Sequence, residues 1–277
     1  GLQLIKTRLK TSTKQEWFER QINAGFKEIE ISSMVPKKRL PQFSDSTSMI
    51  DFANKFSDCL PCILVPNFKG SELAIKAKAR KLIFVVSASE AHNLVNVKMT
   101  IENSLNELRE IINFKNSTHD TKKIKVIGSI STSFGCSISG DVSENEVLKI
   151  VEKMLEIGVD EISIADTVGY ANPRYVTSLL KKTVKISGKV PVIGHFHDTR
   201  GFGLANLVAA VDEGVKKFDA SLRGLGGCPY APGASGNIAT EDCVNILESM
   251  GFDTGIDFKK LVSLCKSVEK WLPNESL

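Results

Sequence analysis

The chain alternates short apolar runs with longer segments in which apolar residues recur every three or four positions. The apolar runs, rich in β-branched residues, predict seven strands: 26–31, 60–65, 81–86, 124–129, 161–165, 190–194 and 217–221. The helical periodicity predicts helices near 13–24, 46–57, 70–79, 100–115, 143–157, 173–186, 202–213, 238–250 and 257–271. Because strands and helices alternate, the pattern predicts a parallel sheet of βα units.

The segment near 143–157 carries local signals at both of its ends. Ser143 precedes the segment and Glu146 follows three residues later, which is the spacing of a capping box. Gly158 stands directly after the segment, where a glycine commonly ends a helix. This helix is therefore predicted both by its periodicity and by its capping chemistry.

The succession of βα units indicates an α/β protein. A (β/α)8 TIM barrel with a C-terminal helical extension is the architecture that we expect. Such a barrel has eight strands and the sequence shows seven, so we expect the first strand to precede Gly1. We expect a single catalytic barrel domain over residues 1–277, with the C-terminal helices at about 237–277. An open doubly wound sheet also accommodates seven strands, but no G-x-G-x-x-G motif follows an early strand.

Composition and charge narrow the classes of function. The 277 residues include 36 basic and 32 acidic side chains, which are dispersed along the chain, and the formal net charge is +4. This balance predicts no nucleic acid and no membrane as partners and favours small anionic ligands. The six cysteines lack the dense spacing of a disulfide framework, and no apolar leader opens the chain. We therefore expect reduced thiols and a cytoplasmic location.

The strongest chemical signal is the pair His195 and His197 at the end of the sixth predicted strand. Residues i and i+2 of a strand point to the same face, so both imidazoles can bind one divalent cation. The alternative is a histidine pair satisfied by hydrogen bonds to the backbone or to carboxylates. Oxygen ligands must complete a metal site, and Asn237 is the natural amide ligand. Such a mixed shell favours Mg²⁺ or Mn²⁺ over Zn²⁺.

A glycine-rich loop follows the seventh predicted strand, from Gly224 to Asn237, and carries Cys228. Its glycines allow a close approach to a ligand, so Cys228 is predicted to be a movable thiol that acts as an acid. The alternative is a small buried cysteine. The carboxyl ends of barrel strands open onto one face, where these polar residues are expected to converge with the histidines: Glu30, Ser32, Asn67, Ser87, Ser89, Glu90, Asp166 and Thr167.

Three other features carry weaker signals. Cys59 and Cys62 form a single CxxC motif at the start of a strand, and a structural role is the main interpretation. His92 and His119 stand in polar surroundings, which is typical of solvated loop residues. The basic run 37–39 follows the first predicted strand. It is either a solvated loop or a contact for phosphate groups at the active face.

With these residues assembled, the chain resembles the 3-hydroxy-3-methylglutaryl-CoA lyase (HMG-CoA lyase) family, which belongs to a group of metal-dependent aldolase-like barrels. The resemblance covers essentially the whole chain. The Gly-Cys-Pro-Tyr-Ala loop is typical of the lyases, because the related synthases lack its cysteine. The segments that carry the resemblance are 1–3, 29–30, 66–70, 87–90, 161–167, 195–199, 224–237 and 239–242.

The resemblance implies cleavage of an HMG-CoA-type thioester to acetyl-CoA and acetoacetate by retro-Claisen chemistry, a step of leucine degradation. It implies a divalent metal held by His195, His197 and Asn237. It also implies an acyl-CoA substrate, coenzyme A as a product, and a homodimer or other homo-oligomer. The implied catalytic residues are Cys228, Asp166, His195, Glu30 and Glu241. The implied contacts to the acyl-CoA are Asn67, Ser89, Asn96 and Gly227.

The chain departs from the family pattern beside the expected site. The family's animal form has Cys between the histidines and Thr-Tyr-Gly after them, whereas Phe196 and Thr199-Arg200-Gly201 stand here. Arg200 and Arg223 leave open a related substrate, such as citramalyl-CoA or isohexenylglutaryl-CoA. A non-catalytic acyl-CoA-binding barrel is a further alternative. The family's remaining metal ligand and its catalytic arginine form an Arg-Asp pair before Gly-Leu-Gln, so we expect both to precede Gly1.

Overall fold

A computed structural model describes residues 1–227, 236–273 and 275. Within these ranges seven strands form one sheet, and each strand pairs in parallel with the next one along the chain. The strands are β1 (Glu28–Ser33), β2 (Leu60–Val65), β3 (Lys81–Ser87), β4 (Lys125–Ser131), β5 (Glu161–Ala165), β6 (Val192–His195) and β7 (Lys217–Asp219). All seven predicted strands are therefore confirmed, with boundaries that shift by at most two residues.

Helices follow the strands as predicted. Those in the described ranges are α1 (Thr11–Asn23), α2 (Ser46–Ala53), α3 (Phe68–Lys76), α4 (Glu90–Asn96), α5 (Ile101–Asn116), α6 (Glu144–Ile157), α7 (Pro173–Ser187), α8 (Gly203–Asp212), α9 (Thr240–Ser249) and α10 (Phe258–Trp271). Among the residues described, no helix combines the length and the apolar character that a bilayer crossing requires. Every predicted helix is present, and α4 is an addition to the prediction.

Four charged side chains from alternate strands form a charged layer in the barrel interior. They are Glu28 of β1, Lys81 of β3, Glu161 of β5 and Lys217 of β7. Lys81 Nζ lies 2.5 Å from Glu28 Oε1 and 2.8 Å from Glu161 Oε2. Lys217 Nζ lies 3.0 Å from Glu28 Oε2 and 2.8 Å from Glu161 Oε2. Layers of four side chains from alternate strands are typical of closed βα barrels.

The charged layer brings the two edges of the sheet together. Glu28 lies on β1 and Lys217 on β7, which are the two ends of the strand order, so their contact requires a sheet that curls round. Burial disfavours the charge on Lys217, but hydrogen bonds to Glu161 and Glu28 outweigh it and raise its pKa. The curled parallel sheet confirms the barrel architecture predicted from the sequence.

A cavity of about 820 Å³ lies along these two edges of the sheet. Its walls include Phe18 of α1 and Phe218 of β7, and it reaches Glu30 and His195 at the carboxyl ends of their strands. In the described ranges β1 and β7 each pair with one neighbouring strand. That an eighth strand precedes Gly1 stays a prediction.

Helix α6 shows how local chemistry and packing agree. Ser143 Oγ accepts a hydrogen bond from the Glu146 N–H, and Glu146 Oε2 accepts one from the Ser143 N–H, which confirms the predicted capping box. Gly158 follows the helix with φ +95°, a left-handed conformation that glycine adopts without strain. The face that the helix buries consists of Val147, Ile150, Val151, Met154 and Ile157.

Helices α9 and α10 are the predicted C-terminal helices. Helix α10 packs against α1 through Trp17 and Trp271, whose ring centroids lie 5.7 Å apart, and the Arg20 guanidinium lies over the Trp271 ring. Leu261 and Leu264 of α10 are completely buried in the same apolar cluster. The extension therefore closes over the first helix. That residues 1–277 form a single domain stays a prediction.

The prediction that His92 is a solvated loop residue is wrong. His92 lies in α4 and is 2% exposed, and its Nδ1 lies 2.6 Å from Ser87 Oγ. Burial lowers the pKa of its ring. Helix α4 has only seven residues, too few to show a helical period in the sequence. Ser89, which caps the helix, is the sequence feature that could have predicted it. His119, in contrast, lies in an exposed turn as predicted.

The two cysteines of the CxxC motif are buried near the start of β2. Cys59 and Cys62 are both 2% exposed, and Cys62 Sγ lies 3.5 Å from Glu28 Oε1 in the charged layer. Burial raises the pKa of Cys59 to about 11 and also raises that of Cys62. Inaccessible thiols that stay protonated are poor nucleophiles, which agrees with the structural role expected for this motif.

Candidate active site

Two histidines stand side by side at the carboxyl end of β6. His195 is the last residue of the strand, and His197 follows on the same face; their Nε2 atoms lie 3.3 Å apart. Phe196 between them points the opposite way and is completely buried, with its ring centroid 6.2 Å from that of Phe134. The alternation expected of an HxH motif therefore brings both imidazoles together.

Asn237 lies beside this pair. Its segment forms an isolated antiparallel bridge with His197, and the Ile238 N–H donates to Phe196 O over 3.1 Å. The Asn237 amide nitrogen donates to Leu225 O over 2.9 Å, and the Asn237 side chain also forms a hydrogen bond with the His197 ring. The structure thus brings together the three residues that the sequence predicted as metal ligands.

Glycines allow the backbone segments around Asn237 to approach so closely. A Cβ atom on Gly236 would lie 1.7 Å from Gly224 O and 2.3 Å from Gly226 O, which no side chain permits. Gly226 has φ +109°, and a Cβ there would lie 2.7 Å from Asn237 Nδ2. The glycines of this loop are therefore required by backbone contacts, in addition to any approach to a ligand.

Asp219 is a site residue that the sequence analysis missed. It is the last residue of β7, and its Oδ2 lies 3.2 Å from His195 Nδ1. Burial inside the barrel raises the pKa of Glu30, and the charge of Asp219 adds to this rise, whereas the charge of His195 opposes it. Glu30, Asp219, His195 and Asn237 all line the cavity between the sheet edges.

Asp166 lies behind the histidine pair, after β5, and is 1% exposed. Its Oδ1 accepts a hydrogen bond from the Tyr170 N–H over 2.8 Å, and its Oδ2 accepts one from the Ala171 N–H over 3.2 Å. Burial raises the pKa of Asp166 to about 6, although these amides and His195 oppose the rise. A carboxyl group with this pKa can exchange a proton near neutral pH.

The geometry of the histidine pair fits a shared divalent cation. Two nitrogen ligands at about 2.1 Å from one ion, at an angle of about 90°, are about 3 Å apart, close to the observed separation of 3.3 Å. Burial, followed by the effect of His195, lowers the pKa of His197 to about 3, so this ring is neutral as a ligand must be. In the described part of the chain no group of three His, Cys, Asp or Glu side chains is placed to hold a metal ion, so a cation at the histidine pair would need oxygen ligands from other groups, such as the Asn237 amide.

Other predicted site residues have structural partners. Asn67 caps α3, since its Oδ1 accepts the Gly70 N–H over 2.8 Å. Ser89 caps α4 and lies 2.8 Å from Ser139 Oγ. Glu241, in the first turn of α9, accepts the Arg223 N–H over 3.1 Å. The roles predicted for Asn67, Ser89 and Glu241 at the site stay predictions.

The remaining predicted residues are Asn96, Gly227 and Cys228. Asn96 is the half-buried last residue of α4. Gly227 follows Gly226, one of the glycines packed beside Asn237. Cys228 lies outside the described residues. The roles predicted for these three residues stay predictions.

A second thiol lies near the carboxyl end of the barrel. Cys136 is 1% exposed, and its Sγ accepts a hydrogen bond from the Ile138 N–H over 3.3 Å. Burial raises its pKa, but hydrogen bonds from Ser89, Ser139 and neighbouring backbone groups outweigh burial and lower it. No role for Cys136 could be predicted from the sequence, since a single cysteine after a strand shows no distinctive spacing.

The fold and the site define a class: parallel βα-barrel proteins whose candidate active site lies at the carboxyl ends of the strands. Residues 1–268 match the family model described as HMGL-like. The chain belongs to this family, which confirms the resemblance identified from the sequence motifs.

Curated relatives and solved structures agree with this assignment. The chain is 36% identical to the hydroxymethylglutaryl-CoA lyase YngG of Bacillus subtilis, over 100% of this chain and 93% of that protein. It is also 36% identical to the mitochondrial hydroxymethylglutaryl-CoA lyase of Arabidopsis thaliana, where it covers 100% of this chain but only 58% of the relative. An HMG-CoA lyase from Acinetobacter baumannii, solved with coenzyme A and 3-methylmalate, matches with a TM-score of 0.94 and 38% identity, over 100% of this chain and 89% of that one.

Proposed function

We propose that the protein is a metal-dependent carbon-carbon lyase that cleaves 3-hydroxy-3-methylglutaryl-CoA to acetyl-CoA and acetoacetate. The observation that carries this proposal is the convergence of His195, His197 and Asn237 at the carboxyl ends of the barrel strands. The relatives named as HMG-CoA lyases, matched over the full length of this chain, support the same reaction.

The metal would be held by His195, His197 and Asn237. Two imidazoles with an amide oxygen favour Mg²⁺ or Mn²⁺, because these ions accept further oxygen atoms from a substrate. When bound, the ion supplies a Lewis acid that lowers the pKa of the substrate's tertiary hydroxyl group. Asp219 supports the arrangement, since its carboxylate accepts a hydrogen bond from the His195 ring.

The chain's own groups then move the protons. Either Asp166, whose pKa burial raises to about 6, or a histidine at the edge of the metal site would remove the proton from the tertiary hydroxyl group. The bond between C2 and C3 breaks, its electron pair goes to the acetyl-CoA fragment as an enolate, and the former hydroxyl carbon becomes the ketone of acetoacetate. Cys228 would protonate the enolate carbon, since a thiol with an ordinary pKa of about 8.5 is a suitable acid near neutrality.

Replacement of Cys228 by Ser tests this function. We expect Cys228→Ser to lower the turnover of HMG-CoA by about 10²–10⁴-fold while Mn²⁺ affinity stays nearly unchanged, because the thiol donates a proton and does not bind metal. Turnover is measured by release of acetyl-CoA, and Mn²⁺ affinity by calorimetry. The matched control is Cys59→Ser, a buried cysteine directly before β2, at the opposite end of the strands from the histidine pair. An equal loss of turnover and metal binding in Cys228→Ser contradicts the assigned role.

A related acyl-CoA is the second candidate substrate. The Arg200 guanidinium lies 4.2 Å from the centre of the Tyr170 ring, and both side chains are exposed after the carboxyl ends of β6 and β5. A fixed positive charge there can bind the free carboxylate of the acyl group, which HMG-CoA shares with citramalyl-CoA and isohexenylglutaryl-CoA, so this charge selects none of the three by itself. Citramalyl-CoA and isohexenylglutaryl-CoA are therefore assayed beside HMG-CoA, and the highest kcat/KM identifies the substrate.

We also propose a cytoplasmic location and a homo-oligomeric state. The first is supported by the cysteines of the described residues, which are all unpaired. Thiol titration of protein isolated without reductant tests the redox state, and light scattering measures the mass of the assembly. Disulfide-linked protein argues against the location, and a mass of one chain argues against the oligomer.

A further inference from the structure

Arg223 has a strained backbone conformation directly before the glycine-rich loop. It lies inside the short helical turn Leu222–Gly224, with φ +58° and ψ +24°, which is the left-handed region. A residue with a Cβ atom adopts this region at an energetic cost that glycine avoids. Such residues persist where the surrounding contacts over-determine them, and they concentrate at functional sites. The contacts that Arg223 makes must therefore offset this cost.

Two acidic residues of the C-terminal helices hold the backbone and the side chain of Arg223. Its backbone N–H donates to Glu241 Oε2 of α9 over 3.1 Å, and its Nη1 lies 3.2 Å from Glu269 Oε2 of α10. The Glu241 carboxylate also forms a hydrogen bond with Cys265 of α10. The sequence left Arg223 open as a determinant of the acyl group, whereas the structure pairs its guanidinium group with α10.

The neighbours of Arg223 pack on the same helices. Leu222 and Leu225 are buried in the apolar cluster that contains Leu261 and Leu264 of α10. Arg223 stands between the two leucines in sequence, so apolar contacts flank its polar ones. The turn 222–225 is therefore fixed to the C-terminal helices by two buried leucines and by the ion pair and backbone hydrogen bond of Arg223.

The turn ends on the carbonyl group that orients Asn237. Leu225 O accepts a hydrogen bond from Asn237 Nδ2 over 2.9 Å and another from Ser221 Oγ over 2.5 Å. A carbonyl oxygen only accepts hydrogen bonds, so the amide nitrogen of Asn237 must face Leu225 and the amide oxygen must face elsewhere. A divalent cation binds the oxygen of an amide. The position of the Leu225 carbonyl therefore decides which end of the Asn237 amide is available beside the histidine pair.

We propose that Arg223 is a positioning residue of the metal site. It holds the turn 222–225 against α9 and α10, and the turn keeps the Leu225 carbonyl where it directs the Asn237 oxygen towards the histidine pair. The inference rests on the proposed function, because it assumes a divalent cation at that pair. Removing a group that orients a metal ligand typically costs about 10–100-fold in metal affinity. Arg223 acts through two intermediate groups, so we expect an effect at the lower end of this range.

The test separates the charge of Arg223 from its backbone strain. Arg223→Gln keeps the strain and removes the cation, Arg223→Gly removes the cation and relieves the strain, and Arg223→Lys keeps a cation. Glu269→Gln removes the partner on α10. The matched control is Glu16→Gln, because Glu16 and Arg20 form an ion pair of similar exposure, 3.5 Å apart, within α1. For the full chain, calorimetry measures Mn²⁺ affinity, electron paramagnetic resonance reports the ligand geometry of bound Mn²⁺, and urea denaturation measures stability.

We expect Arg223→Gln to weaken Mn²⁺ binding by about tenfold and to change the resonance line shape of the bound ion. Glu269→Gln is expected to weaken binding by about threefold, since an exposed ion pair contributes modestly. The double variant is expected to bind like Arg223→Gln alone, because both changes remove the same pair. Arg223→Lys is expected to retain part of the affinity, and Glu16→Gln is expected to bind like the wild type. An equal loss of affinity in Glu16→Gln overturns the inference.

Arg223→Gly distinguishes a positioning role from a merely structural one. Its free energy of unfolding is expected to be at least that of Arg223→Gln, because glycine adopts the left-handed conformation without strain. Its Mn²⁺ affinity is nevertheless expected to stay about tenfold below that of the wild type, since the guanidinium group is absent. Recovery of the wild-type affinity in Arg223→Gly would show that the guanidinium group orients nothing, and it overturns the inference.

The same measurements keep this inference apart from the proposed function. If the wild type binds Mn²⁺ and both Arg223→Gln and Glu269→Gln bind it equally well, the inference is overturned while the proposed function stands. If the wild type binds Mn²⁺ but releases no acetyl-CoA from HMG-CoA, the proposed function is overturned, and the affinities of the variants still decide the role of Arg223. If the wild type binds no Mn²⁺, both are overturned.

Discussion

Asp219 Oδ2 lies 3.2 Å from Nδ1 of His195, on the opposite side of the ring from the nitrogen that faces His197. A carboxylate in this position fixes the tautomer and the orientation of an imidazole whose other nitrogen binds a metal. Strand β7 supplies the carboxylate and the neighbouring strand β6 supplies the histidine, so the parallel pairing of the two strands sets this contact.

Replacement of Asp219 by Asn is expected to weaken Mn²⁺ binding by about 10–100-fold, the effect typical of losing a carboxylate that orients a metal-binding histidine. Stability is expected to change by less than about 1 kcal/mol, because the Asp219 side chain is 51% exposed. Calorimetric titration with Mn²⁺ measures the affinity. Asp212→Asn, an exposed aspartate at the end of α8, is the matched control, and equal affinities in both variants contradict the role of Asp219.

The histidine pair makes a stronger prediction. His195→Asn and His197→Asn are each expected to abolish Mn²⁺ binding at micromolar concentrations, since each removes one of the two imidazole ligands of the proposed site. Electron paramagnetic resonance of free Mn²⁺ counts the bound ions per chain. His119→Asn changes an exposed histidine outside the site and is expected to bind like the wild type. Wild-type binding in either of the first two variants shows that the imidazoles hold no metal.

The sequence predicted those parts of the fold and site that depend on local rules. His195 and His197 were found because the period of a strand places residues i and i+2 on one face. The capping box at Ser143 predicted a helix start to within a residue. Asn237 was identified because it ends a glycine-rich loop, and the close backbone contacts of Gly236 explain that composition.

The parts that escaped prediction depend on contacts between distant segments. Asp219 was counted inside a predicted strand that extended to residue 221, whereas β7 ends at Asp219. Lys81 and Glu161 lie in otherwise apolar strands, and their pairing follows only from the closure of the sheet. His92 was misjudged because polar neighbours in sequence say little about burial in three dimensions.

Asp166 predicts a pH dependence of the reaction. Only the deprotonated carboxylate accepts a proton, and burial raises its pKa to about 6, so kcat/KM is expected to rise with pH through about 6 and level off above it. Asp166→Asn is expected to lower kcat by about 10²–10⁴-fold and to remove this limb. The profile is measured between about pH 5 and pH 8. Persistence of the same limb in Asp166→Asn assigns it to another group.

Lys81 in the charged layer makes a prediction about stability. Its ammonium group is completely buried between Glu28 and Glu161, so Lys81→Met leaves two carboxylates short of a partner. The free energy of unfolding, measured by urea denaturation, is expected to fall by about 3–5 kcal/mol. Lys125→Met is the matched control and is expected to cost less than about 1 kcal/mol, since Lys125 is 55% exposed and 3.3 Å from Asp160. Equal small losses in both variants would show that the buried lysine contributes no more than a surface ion pair.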